Sequence, residues 1–348
     1  MILDSLQVTT AELERATGWT LEPEGLCRDD RCVPFPTPRG GVVDVRTVAG
    51  RLGMALLADE THGIWALGPE AGGKALASAR LPDLVLPDVN GTLFPLSSLH
   101  GQKVFLAAWA SWCGCRLALP GWQRLRAELH PKGLEVVTVA LDLEPEAARP
   151  WIEASGAEHP QLIDSAHRLD ALLGIVNVPM AVWVDEDGML VRPAEVCATE
   201  RSRYRDMDIP EGLPDRRREI LEQVRRIPDH HGGYVRALRD WVDHGAESRY
   251  AMSATEVVEA SASRPMGESE AAAHFDLGQH LHHAGSAEDA RLHFREAHRL
   301  QPGNWTYKRN AWELVAPGEQ GPNEHYDGDW LSDIKVAGAE NYYAAPSF

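Results

Sequence analysis

Two cysteines, Cys113 and Cys115, stand one residue apart in the run FLAAWASWCGCRLALP, residues 105 to 120. They follow an apolar β-type stretch and precede a helical pattern. A thiol at such a turn lies over unpaired backbone N–H groups at the positive end of the helix dipole, which favours the thiolate and lowers the cysteine pKa. The thiolate is the species that attacks a disulfide, and a neighbouring thiol resolves the mixed disulfide that results. The same pair suits a second chemistry, two-coordinate thiolate binding of a thiophilic ion such as Cu(I). Cys27 and Cys32 flank a four-residue polar turn in GLCRDDRCVPFPTP. A hairpin over Arg28 to Arg31 would set them opposite each other, near enough for a disulfide. They would then form a second redox couple able to exchange with Cys113 and Cys115. A static hairpin is the plainer reading, because C-x4-C alone is a weak signal and supplies only half of a zinc shell. Cys197 is unpaired by count and reads as a buried bystander.

Positioning Cys113 requires a buried strand that ends there and a helix that starts there. Residues 105 to 110 read as that strand, and Trp122, Leu125 and Leu129 recur at helical spacing, so the helix should run to about His130 with a kink near Pro120. GLEVVTVALD, residues 133 to 142, reads as the next buried strand. Helices are expected over Glu144 to Ala154 and Ser165 to Leu173, and a hairpin turning at Asp187-Gly188. Strands alternating with helices give an α/β sandwich.

The stretch from residue 80 to 192 resembles the TlpA/ResA type of thioredoxin-like redoxins. The lead-in LPDLVLPDVNGTLFPLSSLHGQKVFLAAWASWC and the segment LGIVNVPMAVWVDEDGML, residues 173 to 190, carry the resemblance. It implies a thioredoxin-like fold and thiol-disulfide oxidoreductase activity. It also implies that Pro179 is a cis-proline beside the cysteines, offering backbone to a bound chain, and that Trp112 shields the pair. In these terms Cys113, as the more exposed thiol, attacks and Cys115 resolves.

The departures bear on the chemistry. The family pattern C-x-x-C followed by R-x-E-x-P here lacks one residue between the cysteines, and Ala118 stands where the glutamate belongs. The buried acid that many thioredoxins carry on the preceding strand falls on Ala107. Both customary proton-shuttling carboxylates are therefore missing, which predicts slower or differently specialised exchange. A disulfide across C-x-C closes a tighter ring, and strain makes a disulfide easier to reduce, so the expected bias is toward oxidant or isomerase. Peroxidase chemistry is disfavoured, because Ala110 occupies the place of the threonine or serine that a peroxiredoxin loop would need.

The whole chain has 348 residues and a formal charge of −18, with 44% hydrophobic and 25% charged residues. That length is enough for about two or three domains. The acidity disfavours nucleic acid and anionic membranes as partners. No membrane-spanning stretch or basic leader is read, so a cytoplasmic location is expected. Five cysteines in a chain this long do not suggest a disulfide scaffold. No cofactor is called for, and no metal site beyond the alternative at Cys113 and Cys115.

The expected fold class is α/β, a thioredoxin-like central domain with an α+β N-terminal module and an α-helical C-terminal region. Residues 1–79 form the module, with a helix capped by Thr9 and Glu12 and ended by Gly18. A second helix spans Asp44 to Leu57, and a strand Gly63 to Leu67 ends at Gly68-Pro69. The central domain spans 80–197, and 198–265 reads as a charged helical connector with a helix from Gly233 to about Trp241. The basic cluster Arg216 to Arg218 reads as a solvated helix face. In the region 266–316, residues 271–304 resemble one tetratricopeptide repeat, with Leu277, Gly278, Leu281, Gly285, Ala290, Phe294, Ala297 and Pro302 at signature offsets. Its expected neighbours are the helix Trp305 to Leu314 and the connector helices. His280 and His283 share a face, yet nothing completes a metal shell around them. The segment 317–348 is too aromatic for a free tail and should lie as an extended strap across another domain or subunit.

Three functions follow: a thiol-disulfide oxidoreductase acting on protein or small-molecule disulfides and thiols, a soft-metal handling protein, and a redox-silent adaptor that binds a protein partner through the repeat. A homo-oligomer is compatible with each.

Overall fold

The computed structural model describes residues 1–28, 31–36, 38–326 and 328–348. The elements used below are, in chain order, strands β1 (Ile2–Leu3), β2 (Met54–Asp59), β3 (Ile64–Glu70), β4 (Lys103–Trp109), β5 (Leu134–Ala140), β6 (Gln161–Ile163), β7 (Met180–Val184) and β8 (Leu190–Val196). The helices are α1 (Leu119–Leu129), α2 (Asp215–Arg226), α3 (His231–His244), α4 (Met266–His283), α5 (Ala287–Leu300), α6 (Trp305–Val315) and α7 (Trp330–Ala337). The chain divides into two compact units, Met1–Ser78 with Ser261–Tyr307 and Ala79–Ala260 with Lys308–Phe348.

In the first unit the helix Thr10–Thr17 begins and ends as its residues require. Thr9 and Glu12 form a reciprocal capping box, and Gly18 closes the helix at φ 74°. The second helix is shorter than its apolar spacing predicts. Gly53, at φ 65°, stops it after Val45–Leu52, and Leu56 and Leu57 lie on β2 instead. Gly68-Pro69 do not end the following strand; they sit within β3, where its pairing with β2 shifts register. A bulge tolerates a residue without an N–H. Strand β3 lies between β1 and β2 in one antiparallel sheet.

Helix α4 packs on β2 and β3, neighbours the sequence did not suggest, and its Phe275 ring also stacks on Tyr307 of α6, the expected neighbour, at 4.1 Å. Ala273 and Leu277 bury against Ala66 of β3. Ser269 ties the layers together, its hydroxyl donating to the Pro69 carbonyl and accepting from the Ala55 N–H at 3.0 Å. Helix α5 returns antiparallel over Gly278, where a Cβ would meet the Phe294 ring at 2.8 Å. The strands Gly25–Arg28 and Arg31–Val33 pair with Cys27 opposite Cys32, and a disulfide joins them. The turn residues Asp29 and Asp30 of the expected hairpin lie outside the described residues.

The second unit is built on a five-stranded sheet in the order β6-β5-β4-β7-β8. Strands β4, β5 and β6 run parallel, while β7 and β8 add antiparallel to β4's other side. Seven consecutive residues of β5 and the last six of β4 are buried, as both-face burial demands. Tryptophans 109, 122, 183 and 241 belong to its core with Phe105 and Tyr234. Helix α1 starts later than predicted. Gly114–Ala118 form a 3₁₀ turn, and Pro120 sits in the first turn of α1, where a missing N–H costs nothing. The helix after β6 is likewise cut to Arg168–Leu173.

The C-terminal segment is only partly an extended strap. Asp329 caps α7, and Ala339–Asn341 form a 3₁₀ turn before the last residues run extended. Phe348 ends edge-on to Tyr234 and Tyr250, with Arg192 at 5.1 Å from its ring.

Candidate active site

Strand β4 delivers the cysteines to the carboxyl end of the sheet. Cys113 is the N-cap of the 3₁₀ turn Gly114–Ala118, and its Sγ accepts from the Cys115 N–H at 3.2 Å. The same sulfur lies 3.4 Å from the Val178 carbonyl oxygen, to which the thiol donates. The Val178–Pro179 bond is cis, as the resemblance implies. Both thiols are free. Cys113 is nevertheless not the exposed member of the pair. It is 4% exposed, whereas Cys115 is half-buried. The sequence reading of their accessibility is thus reversed, because residues nearly two hundred positions downstream cover Cys113.

Those residues come from α6 and the C-terminal segment. Arg309 is buried, and its guanidinium donates to the Trp112 carbonyl at 2.8 Å, to Gln320 Oε1 at 2.6 Å and to the Tyr342 hydroxyl at 3.1 Å. It also lies 4.5 Å from the Trp112 ring centroid. Asn310 accepts from Trp112 Nε1 at 2.9 Å and donates to the Leu141 carbonyl at 3.0 Å. The Tyr343 hydroxyl donates to Val178 O at 2.6 Å, and Asn177 Nδ2 donates to Tyr342 O at 3.1 Å. None of these has a motif, and nothing in the tail's spacing links it to the cysteines.

The two thiols are held in unlike states. At Cys113 burial opposes ionisation, but the Cys115 thiol and N–H, the charge of Arg309 and that of Arg116 outweigh it and bring the pKa down to about 7. At Cys115 burial, the hydrogen bond to Cys113 and the negative charge of the Cys113 thiolate all push the thiol well above its ordinary value. One thiolate and one thiol is the state that nucleophilic attack followed by resolution needs. Cys197, just beyond β8, is 1% exposed, and burial followed by the Cys113 charge raises its pKa.

A carboxylate the motif comparison passes over also reaches the active-site turn. Asp142 accepts from the Ser111 N–H at 3.0 and 3.1 Å and from the Ser111 hydroxyl. Burial raises its pKa to about 6, against the Ser111 hydrogen bonds that lower it. Asp164 occupies the matching place after β6 and is also raised to about 6, first by burial and then by the charge of Asp170. The signal was readable: both aspartates directly follow apolar strand runs at the carboxyl end of the sheet, the edge where α/β proteins place their sites. Ala107 and Ala118, at the customary acid positions, carry no such group.

Cys113, Cys115 and Pro179 open on a cavity of about 510 Å³ whose lining includes Arg116, Arg309 and Tyr343. Residues 198 to 230 of the connector and α2 supply much of the wall, so the cluster at Arg216 is not wholly a solvated face: Arg216 lines the cavity and donates to Gly321 O at 2.6 Å. Cys27 and Cys32 belong to the other compact unit. No group of three or more histidine, cysteine, aspartate or glutamate side chains suited to a metal ion occurs among the described residues. No helix among them is long and apolar enough to cross a membrane.

Residues 77–193 match the AhpC/TSA family. The thiol-disulfide oxidoreductase ResA of Bacillus anthracis is 28% identical over 111 residues, covering 32% of this chain and 64% of that protein. The ResA of Bacillus subtilis is 26% identical over 120 residues, 34% of this chain and 67% of that protein. Among solved structures, a putative thiol:disulfide interchange protein DsbE from Chlorobium tepidum is 31% identical, covers 33% of this chain and 82% of its own, and superposes with a TM-score of 0.31. The chain spans 64% of the length of the first ResA relatives it matches. Over that segment, residues 77–193, the chain carries a thioredoxin-like domain of the AhpC/TSA redoxin family with ResA-type homologues.

Proposed function

We propose that the chain is a thiol-disulfide oxidoreductase with a C-x-C active site. The observation that carries the proposal is the geometry at Cys113, whose sulfur is capped by the Cys115 N–H and lies beside the Val178–Pro179 backbone. In this reading the Cys113 thiolate attacks a substrate disulfide, Cys115 resolves the mixed disulfide, and Trp112 and Pro179 shape the site. Asp142, linked to the turn through Ser111, is the acid–base group available to the exchange. A stabilised Cys113 thiolate favours the reduced dithiol, and stabilising the reduced form makes a couple more oxidising. This supports the oxidant or isomerase bias that the short C-x-C ring suggests. A two-coordinate metal site needs both sulfurs ionised, which the protonated Cys115 disfavours. The Cys27–Cys32 disulfide remains a candidate second couple. The repeat-like pair α4 and α5, with α4 seated on β2 and β3, is taken as a packing module of its own unit before a partner site.

The test is a glutathione redox titration with mass-spectrometric mapping of every cysteine at each potential. A reversible Cys113–Cys115 disulfide is expected, with a midpoint on the oxidising side of thioredoxin's roughly −270 mV. Joint titration of Cys27 and Cys32 would support a relay. Failure to form the Cys113–Cys115 disulfide at any potential would overturn the assignment.

A further inference from the structure

We infer that the site serves a compact anionic disulfide, a small molecule bearing carboxylates, and not an extended polypeptide. The inference rests on the oxidoreductase reading above and names its substrate class. Three observations carry it.

The first is the C-terminal segment. A polypeptide substrate would use the backbone beside Pro179, yet the Val178 carbonyl already accepts from the Tyr343 hydroxyl at 2.6 Å, and Asn177 is bonded to the Tyr342 carbonyl. The second is size. The remaining cavity of about 510 Å³ falls within the range of roughly 300–1,000 Å³ in which small-molecule sites lie. The third is charge. Arg116 and Arg309 flank the cysteines and four further arginines between residues 201 and 216 line the cavity, against three carboxylates. Arg201 pairs with Asp206 and with the lining Asp229, and Arg216 with Asp329, so the cationic character of the wall rests on Arg116, Arg203, Arg205 and Arg309, in a chain whose formal charge is −18. Carboxylates are the acceptors that arginine binds best.

The exchange balances without a further reactant. The Cys113 thiolate attacks one sulfur of R–S–S–R, the Cys113–S–S–R bond forms, and R–S⁻ leaves. Cys115 passes its proton to the departed R–S⁻ and attacks Cys113 Sγ, forming the Cys113–Cys115 disulfide and expelling the second R–S⁻, which takes its proton from water. The protein loses two electrons and the disulfide becomes two thiols. The reverse sequence oxidises the small thiol.

The experiment uses the full-length reduced protein and four oxidants: anionic glutathione disulfide, neutral 2-hydroxyethyl disulfide, cationic cystamine, and an extended disulfide-bonded peptide of about twenty residues. The rate of Cys113–Cys115 disulfide formation with each is divided by its rate with free dithiothreitol, which removes intrinsic reactivity. The expected result is a normalised rate for glutathione disulfide on the order of 10-fold or more above the other three, shrinking in high salt as electrostatic capture does. The preference should also shrink in Arg116→Gln and in Arg203→Gln, the latter an exposed cavity residue whose replacement leaves the core untouched. Equal normalised rates, or a preference for the peptide, would overturn the inference while leaving the oxidoreductase reading standing. Failure of the disulfide to form with every oxidant would remove that reading itself.

Discussion

A cysteine only 4% exposed does not usually meet substrate, and at Cys113 the chemistry depends on what buries it. A purely apolar cover would push the thiol up and silence it. Here the cover brings Arg309, pinned by three hydrogen bonds, so the desolvation that opposes the thiolate is outweighed by a fixed positive charge, the Cys115 contacts and Arg116. Alkylation of the reduced protein followed against pH should therefore show Cys113 reacting with a midpoint near 7 and Cys115 only well above 9. In Arg309→Gln the Cys113 midpoint should move upward, whereas Arg309→Lys, which keeps the charge, should restore part of the shift. A purely structural role for Arg309 would leave both midpoints together in the two variants, and a mutant that lost its fold would expose Cys197 to the reagent as well. The motif around Cys113 was legible because its spacing is local. Arg309 and Tyr343 were not, since their partners lie 197 and 165 residues away and no periodicity announces the contact.

At the scale of elements, the sequence spoke most clearly where one short pattern has one outcome. Thr9, Glu12 and Gly18 bounded a helix to the residue, and the apolar runs at 103–109 and 134–140 became the two innermost parallel strands. It misled where two periods overlap. Val48, Leu52, Leu56 and Leu57 fit a helical face, but Gly53 in the left-handed region breaks it, and the last two serve a strand. Gly68 shows why β3 needs a glycine. A Cβ there would lie 2.2 Å from the Ser269 backbone carbonyl on α4, and backbone cannot swing aside. Gly278 faces the Phe294 ring at 2.8 Å, a side chain that can shift, and sits inside a helix where alanine gains about 1 kcal/mol. Urea denaturation should accordingly find Gly68→Ala destabilised by about 3 kcal/mol, as overpacking against fixed atoms costs, and Gly278→Ala within about 1 kcal/mol of the parent. Equal losses would mean that α4 is free to move off β3.

At the scale of the whole molecule, the second unit buries acids and a histidine beside the ends of one sheet's strands, and their pH dependences oppose each other. Asp142 and Asp164 are raised to about 6, chiefly by burial, so the folded state keeps two protons that the unfolded chain releases near 4. Their contribution is fully present below pH 4 and is lost as pH rises to 6 and above. His159 is lowered to about 4 by burial, so its contribution is present above the unfolded value of 6.5 and is lost as pH falls toward 4. The two trends partly cancel between pH 4 and 6, which hides each from a simple stability profile. Asp142→Asn uncovers one of them. Asparagine cannot ionise, and its oxygen still accepts from Ser111, so the variant should gain on the parent as pH rises from 4 to 6.5 and hold that gain above. The ceiling of that pH-dependent gain is about 3 kcal/mol, the free energy of a two-unit shift. Calorimetry of the two proteins at pH 4, 5, 6 and 7.5 measures it. A constant difference at all four values would show that Asp142 titrates in the fold as it does in the unfolded chain, near pH 4, and the carboxyl could then not serve as the proton reservoir beside Ser111 that thiol exchange near neutral pH uses.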